Sequence, residues 1–342
     1  MSDQAERLRM LAQTPPNKAA ARDAASDADA SSPMGCRMVF TSGKGGVGTS
    51  NLVLNLAIAL GQVGHRVLVV DGDGGRAALD LLGGLTPRRD LGDVLAGLCE
   101  ADQATHPLDG TTGRVWLLAG AHALRTSPAH LAELADRLAR ELPNLSRGYD
   151  FVLVDAGSGL GPGVAVLSSV ADELVIVTTP EPAAVADAHA AIARARTLSP
   201  HPPEIRIAVC HAATAGEGRD TLERLAASSR QFLGQVVRPL GSIRTDRAVP
   251  CAVRRRRPFL LESPRGRASR GVRRLARSLA RERPTRATAV PPHRLRLKSA
   301  FLNARATALV GLLGSLLGKL GRGPGPPVGG SARAGAGALR GA

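Results

Sequence analysis

Aromatic side chains are scarce, with one Trp, one Tyr and five Phe in 342 residues. A surface that stacks on successive nucleobases needs aromatics interleaved with cations, so binding of that kind is poorly supported. Cysteine is also sparse. Cys36, Cys99, Cys210 and Cys251 stand far apart, without the close pairs that hold zinc, and read as plain thiols of a reducing compartment. The opening residues lack a basic stretch followed by an apolar run, so no secretory signal is read and the cytoplasm is the expected location.

Acidic residues are nearly missing from the last quarter of the chain. From Cys251 onward there are 21 Lys/Arg against 2 Asp/Glu, a charge of +19 that leaves −3 for everything before it. A basic C-terminal part on a near-neutral remainder points to an anionic surface as partner, not to a basic groove running through the fold.

The length suits one large α/β domain of roughly 250 residues with appendages. Residues 1–12 read as a short helix with Leu8 and Leu11 on one side. Pro15-Pro16 and an Ala/Asp/Ser-rich stretch then form a flexible linker over 13–35. A regular alternation follows over 36–283. Strands are predicted at Met38–Thr41, Val67–Val70, Val115–Ala119, Phe151–Asp155, Leu174–Thr178, Ile205–Cys210 and Leu240–Ile243, with helix-length segments between them. Such alternation predicts an α/β fold, a mostly parallel sheet of about seven strands covered by helices on both faces. The segment Asn51–Val63 is apolar almost all round, as a helix buried on the sheet should be.

The chemistry concentrates in Gly43-Lys44-Gly45-Gly46-Val47-Gly48-Thr49-Ser50, between the first strand and that helix. Glycines let backbone N–H groups converge on phosphate oxygens, and the helix N-terminus adds a favourable dipole. The spacing is that of a Walker A loop and its closing Ser50 is a natural Mg²⁺ ligand, yet Thr49 stands where the phosphate-binding lysine is usual. Asp71 and Asp73 follow the second strand and Asp155 ends the fourth, at the sheet edge where ligands gather in open α/β folds. Asp155 reads as the Walker B acid, holding Mg²⁺ directly or through water, and Asp73 as a residue able to orient an attacking water.

Lys44-Gly45-Gly46-Val47-Gly48 resembles the deviant Walker A loop of the MinD/ParA/nitrogenase-iron-protein ATPases, with Lys44 in the place of their signature lysine. Thr178-Thr179-Pro180-Glu181-Pro182 with Asp187-Ala188, Leu81–Pro87 and Asp90–Val94 are similar to segments of the flagellar-number regulators FlhG and FleN, and this resemblance runs to about Arg283. Asp3-Gln4-Ala5-Glu6-Arg7-Leu8-Arg9 looks like the motif with which those regulators stimulate the signal-recognition-particle-type GTPase FlhF. The resemblance implies a P-loop NTPase fold, ATP and Mg²⁺ as cofactors, and an ATP-dependent homodimer in which each Lys44 reaches the other subunit's phosphates. It therefore assigns catalysis to Lys44, Asp73 and Asp155, nucleotide binding to Gly43–Ser50, and the metal to Ser50 and Asp155.

Three positions depart from the family pattern: Thr49, Cys210 where an Asn near the adenine is usual, and Arg244 in place of Pro. A catalytically impaired nucleotide-binding scaffold stays open as a second reading, and a DNA-partitioning ATPase of the ParA type as a third. Past a linker at 284–293, residues 294–320 place Leu297, Phe301, Ala304, Ala308, Leu312, Leu316 and Leu320 at three- and four-residue spacing among Arg and Lys. An interfacial membrane helix has this pattern, as does a helix packed on the protein's own core or on a second copy. The uncharged run between Arg305 and Lys319 is 13 residues, too short to span a bilayer. Residues 321–342 have the Gly/Pro/Ala composition of a disordered tail. Arg254–Arg257 could meet nucleic-acid phosphates, but specific nucleic-acid binding is not expected.

Overall fold

The computed structural model describes residues 34–73, 78–111, 113–120, 128–159, 161–195 and 203–283. The expectations for 1–12, 284–293, 294–320 and 321–342, and for nearly all of 13–35, lie outside them.

Among the described residues eight strands form one sheet: β1 Cys36–Ser42, β2 Val67–Asp71, β3 Thr105–Pro107, β4 Val115–Leu118, β5 Phe151–Ser158, β6 Glu173–Thr178, β7 Glu204–Ala212 and β8 Arg238–Arg244. Their order is β3-β4-β2-β5-β1-β6-β7-β8. Every pairing is parallel except the antiparallel β3–β4 edge. The seven strands expected from β-branched runs are present. The eighth, β3, has the sequence Thr-His-Pro, and neither composition nor alternation marks it as a strand. Its pairing partner is Trp116–Leu118 of β4, and a proline fits there because an edge strand has a row of N–H groups it need not pair.

The longer helices are α1 Thr49–Gln62, α2 Pro128–Leu145, α3 Pro162–Ser169, α4 Pro182–Ala195, α5 Ala215–Leu233 and α6 Arg267–Glu282. Successive strand residues face opposite sides, so Met38 and Phe40 enter one core and Val39 the other. The Met38 face is covered by α1, α6 and the turn Phe259–Glu262. The Val39 face is covered by α2, α3, α4 and α5. Eleven of the 14 residues of α1 are buried, which explains its nearly all-apolar sequence. Its one buried amide, Asn55, donates to the Asn51 carbonyl and accepts the Leu260 N–H, both at 2.8 Å. Asn55 thereby pins the Phe259–Glu262 turn to α1 without leaving a buried polar atom unpaired.

This topology fixes where a ligand can sit. From β1 the chain crosses to β2 on one side, and from β5 it returns past β1 to β6 on the other. The C-terminal end of β1 is therefore the switch point of the sheet, and the loop leaving it opens into the crevice between the two halves.

Candidate functional site

The loop Gly43–Gly48 leaves β1 and ends in α1. Gly46 and Gly48 hold φ of +84° and +93°, a backbone region that L-residues with a side chain rarely enter. Gly43 is required for a different reason, since a Cβ there would stand 2.5 Å from the Asp187 Cβ of α4. Ser42 Oγ donates to the Lys44 carbonyl at 2.9 Å, and Gly48 is the N-cap of α1. The outer face of the loop, Gly45 and Gly46, is exposed, and nothing lies within 4 Å of where a Gly46 side chain would begin. The loop is thus held from beneath and open above.

Beneath it the carboxylates converge. Asp71 and Asp155 are register partners across β2 and β5, 2% and 1% exposed. Asp71 accepts the N–H groups of Ala78 and Leu79 at 2.9 and 3.0 Å, so it is committed to shaping the turn after β2. Asp155 accepts the Gly157 N–H at 3.1 Å and a hydrogen bond from the Ser50 hydroxyl. The two residues assigned to the metal are therefore in contact. Asp73 lies beside Gly157, where a Cβ would fall 2.5 Å from its carboxyl carbon. Gly157, with φ of +74°, lets the Asp73 carboxyl close onto the Asp155 strand end. Thr41 Oγ1 adds bonds to the Gly157 and Gly159 carbonyls at 3.2 and 3.3 Å, which tie the β5 end to the phosphate loop.

Burial shifts these acids strongly. Desolvation and the facing Asp155 carboxylate push Asp71 up to about 7, against the opposing N–H bonds of Leu79 and Ala78. Desolvation raises Asp155 to about 6, partly offset by the Ser50 and Gly157 bonds. Both acids bind a proton more tightly in the native state than in the unfolded chain, where the ordinary value is 3.8. Their contribution to stability is full below about pH 4 and is lost as the pH rises through 6 to 7. Nucleotide-free protein is therefore expected to melt at a lower temperature at pH 8 than at pH 5.5, and Asp71→Asn should shrink that difference. Thermal melts of both proteins across this range, followed by circular dichroism, check it.

Thr49 begins α1 and is 8% exposed. Its Oγ1 is buried and has no hydrogen-bond partner among the described residues. A buried hydroxyl left unpaired is costly, and a phosphate oxygen at the helix N-terminus would satisfy it. Among the described residues no group of three or more His, Cys, Asp or Glu side chains is placed to hold a metal. The Ser50–Asp155 pair fits Mg²⁺ nonetheless, because that ion is usually held by one or two protein groups with phosphate and water completing the shell.

Lys44 does not point into its own loop. Its Nζ donates to Glu181 Oε2 at 2.8 Å, with the two side chains 39% and 66% exposed. Glu181, on the exit from β6, belongs to the segment the sequence singled out, but its pairing with Lys44 was not foreseeable across 137 residues. His211 was also missed. It holds a left-handed φ of +58°, anchored by Thr245 Oγ1 donating to its carbonyl at 2.9 Å. Its Nε2 would lie 3.2 Å from a Cβ on Gly48. Cys210 lines the same side of the loop, and burial pushes its thiol up to about 12, so it stays protonated. Arg244 is turned away to the Ala213 carbonyl, at 3.3 to 3.4 Å.

Comparison with known proteins agrees with this layout. Residues 37–201 match the family model described as an AAA domain. The chain is 32% identical over 251 residues to the antiactivator FleN of Pseudomonas aeruginosa, covering 71% of this chain and 85% of FleN. It is 30% identical over 269 residues to the flagellum site-determining protein YlxH of Helicobacter pylori, covering 76% and 86% of the two chains. The cell-division ATPase MinD of Pyrococcus furiosus superposes with a TM-score of 0.61 at 25% identity, over 73% of this chain and all of that one. With a phosphate loop, paired strand-end acids and this sheet order in place, the chain belongs to the FleN/FlhG branch of the MinD/ParA family of P-loop ATPases.

Proposed function

We propose that this protein is an ATP-dependent switch that regulates the number or placement of flagella. The observation that carries the nucleotide reading is the meeting of Gly43–Ser50 with Asp155 and Asp73 at the switch point of the sheet. The loop N–H groups and Ser50 would hold the phosphates of ATP, with Ser50 and Asp155 on Mg²⁺, an ion that neutralises charge on the phosphates. Asp73 would accept a hydrogen bond from the attacking water. Lys44, exchanging Glu181 for the phosphates of a second copy, would supply the cation that Thr49 does not. The resulting homodimer would persist only while the γ-phosphate is present.

The partners are read from the sequence and its resemblance to the flagellar-number regulators. Asp3–Arg9 would act on an FlhF-like GTPase, and 294–320 would hold the protein peripherally at the inner face of the cell membrane. A specific observation favours a second reading: the uncharged Thr49 hydroxyl offers one hydrogen bond where a full charge is usual, which suits a scaffold that binds ATP and scarcely hydrolyses it. The flagellar role is tested by adding the full-length protein, or the same chain with Glu6, Arg7 and Leu8 changed to Ala, to the partner GTPase. Stimulation by the first and not the second is expected. Equal GTP hydrolysis with either protein and without both would remove the partner assignment.

A further inference from the structure

Just over half of the positive charge read from the sequence as a C-terminal feature is part of the folded domain. Between Cys251 and Arg283 there are 12 Arg against 2 Glu, so +10 of the +19 lies on described, mostly helical structure. Much of it is arranged on α6. Ala268, Val272, Leu275, Ala276 and Leu279 are buried on the sheet, while Arg267, Arg270, Arg274, Arg277 and Arg281 are exposed. Their spacing of three and four residues places them in one row along the outer face. At a rise of 1.5 Å per residue the row is about 21 Å long.

The row is not neutralised from within. None of its five arginines makes an ion pair among the described residues. Asp246 accepts the Ala268 N–H at 3.1 Å and feels the charge of Arg267. The helix's own Glu282 is taken by Arg206 at 2.6 Å. Like charges one turn apart weaken a helix, so the row gains nothing for the fold, and an opposing anionic surface would relieve it.

We propose that the outer face of α6 is an electrostatic docking surface for the anionic headgroups of a lipid bilayer. Two features favour a bilayer over nucleic acid. The row is a straight line on a convex helix, suited to a planar array of charges. The chain also continues from α6, through residues 284–293, into 294–320, whose regularly spaced Leu and Phe supply an apolar component that lipid can take up and a phosphate backbone cannot. The surface goes beyond the tail assignment, because the basic row lies on the folded domain; the choice of a bilayer as its occupant rests in part on the reading of 294–320.

The test is co-sedimentation of the full-length protein with vesicles of phosphatidylcholine, with and without phosphatidylglycerol. The variants are Arg270→Ser/Arg274→Ser/Arg277→Ser, the corresponding triple Lys, and Leu312→Asp/Leu316→Asp in the tail. Each basic residue near an anionic surface contributes about fivefold to binding, so the triple Ser should bind anionic vesicles roughly 100-fold more weakly. The triple Lys should bind as the native protein does. The tail variant should retain weaker binding that high salt abolishes. Triple Ser binding equal to the native protein's, with matching melting curves, would overturn the proposal. So would loss of binding to a DNA duplex with vesicle binding intact. A tail variant that has lost all vesicle binding would likewise leave no independent surface on α6.

Discussion

Changing Thr49 to Lys should raise ATP turnover by about 100-fold or more, since removal of a single preorganised charge-stabilising donor typically costs 10² to 10³ in rate. The expectation follows from position. Thr49 opens α1 directly after the N-cap glycine, and its buried Oγ1 has no partner among the described residues. Whatever it donates to a phosphate is one neutral hydrogen bond, whereas an ammonium follows the negative charge that grows on the transferring group. The loop beneath needs no rebuilding, because Gly43, Gly46 and Gly48 already have the conformations and clearances such a loop requires. Lysine is also a better helix former than threonine, so α1 should not suffer. Steady-state phosphate release from both proteins, with melting curves to confirm equal folding, reads the effect. Equal turnover would mean that the charge is already supplied from elsewhere in the site.

Lys44→Ala should weaken ATP-dependent dimerisation by about 100-fold, as truncation of one partner in a desolvated charge pair does. Glu181→Ala should act in the opposite direction. In the single chain Lys44 is held by Glu181 across an exposed contact, and exposed pairs are weak. Releasing the lysine is therefore easy but not free, and removing Glu181 should tighten ATP-dependent dimerisation about two- to fivefold. Opposite signs for these two substitutions, read by light scattering against protein concentration, would separate a latch from a merely structural ion pair. A loss of dimer in both variants would instead place Glu181 in the dimer contact.

The sheet was legible because its strands are short, β-branched runs buried on both faces, such as Val67–Val70 and Phe151–Asp155, and such runs leave few alternatives. β3 was not, because its three residues owe their strand geometry to β4 and not to their own preferences. At the site, the glycine spacing and strand-end aspartates could be read from sequence because each signal is local. The Lys44–Glu181 pair, the turn-shaping role of Asp71 and the position of His211 over Gly48 are set by tertiary packing between distant segments. The signal that could have pointed to His211 was small: it directly follows Cys210, a position already marked as a departure from the family. The basic charge was located in the C-terminal part of the sequence, but composition alone does not show that the Arg267–Arg281 spacing falls on one face of a packed helix.

The central claim is that the native chain, without a lysine at position 49, still binds ATP with Mg²⁺ and dimerises through Lys44. Sedimentation velocity of the native protein with Mg²⁺ and either ATP or ADP tests this most directly. The dimer should appear with ATP and revert to monomer with ADP. A native protein that remains monomeric at saturating ATP, with no nucleotide co-sedimenting, would contradict it.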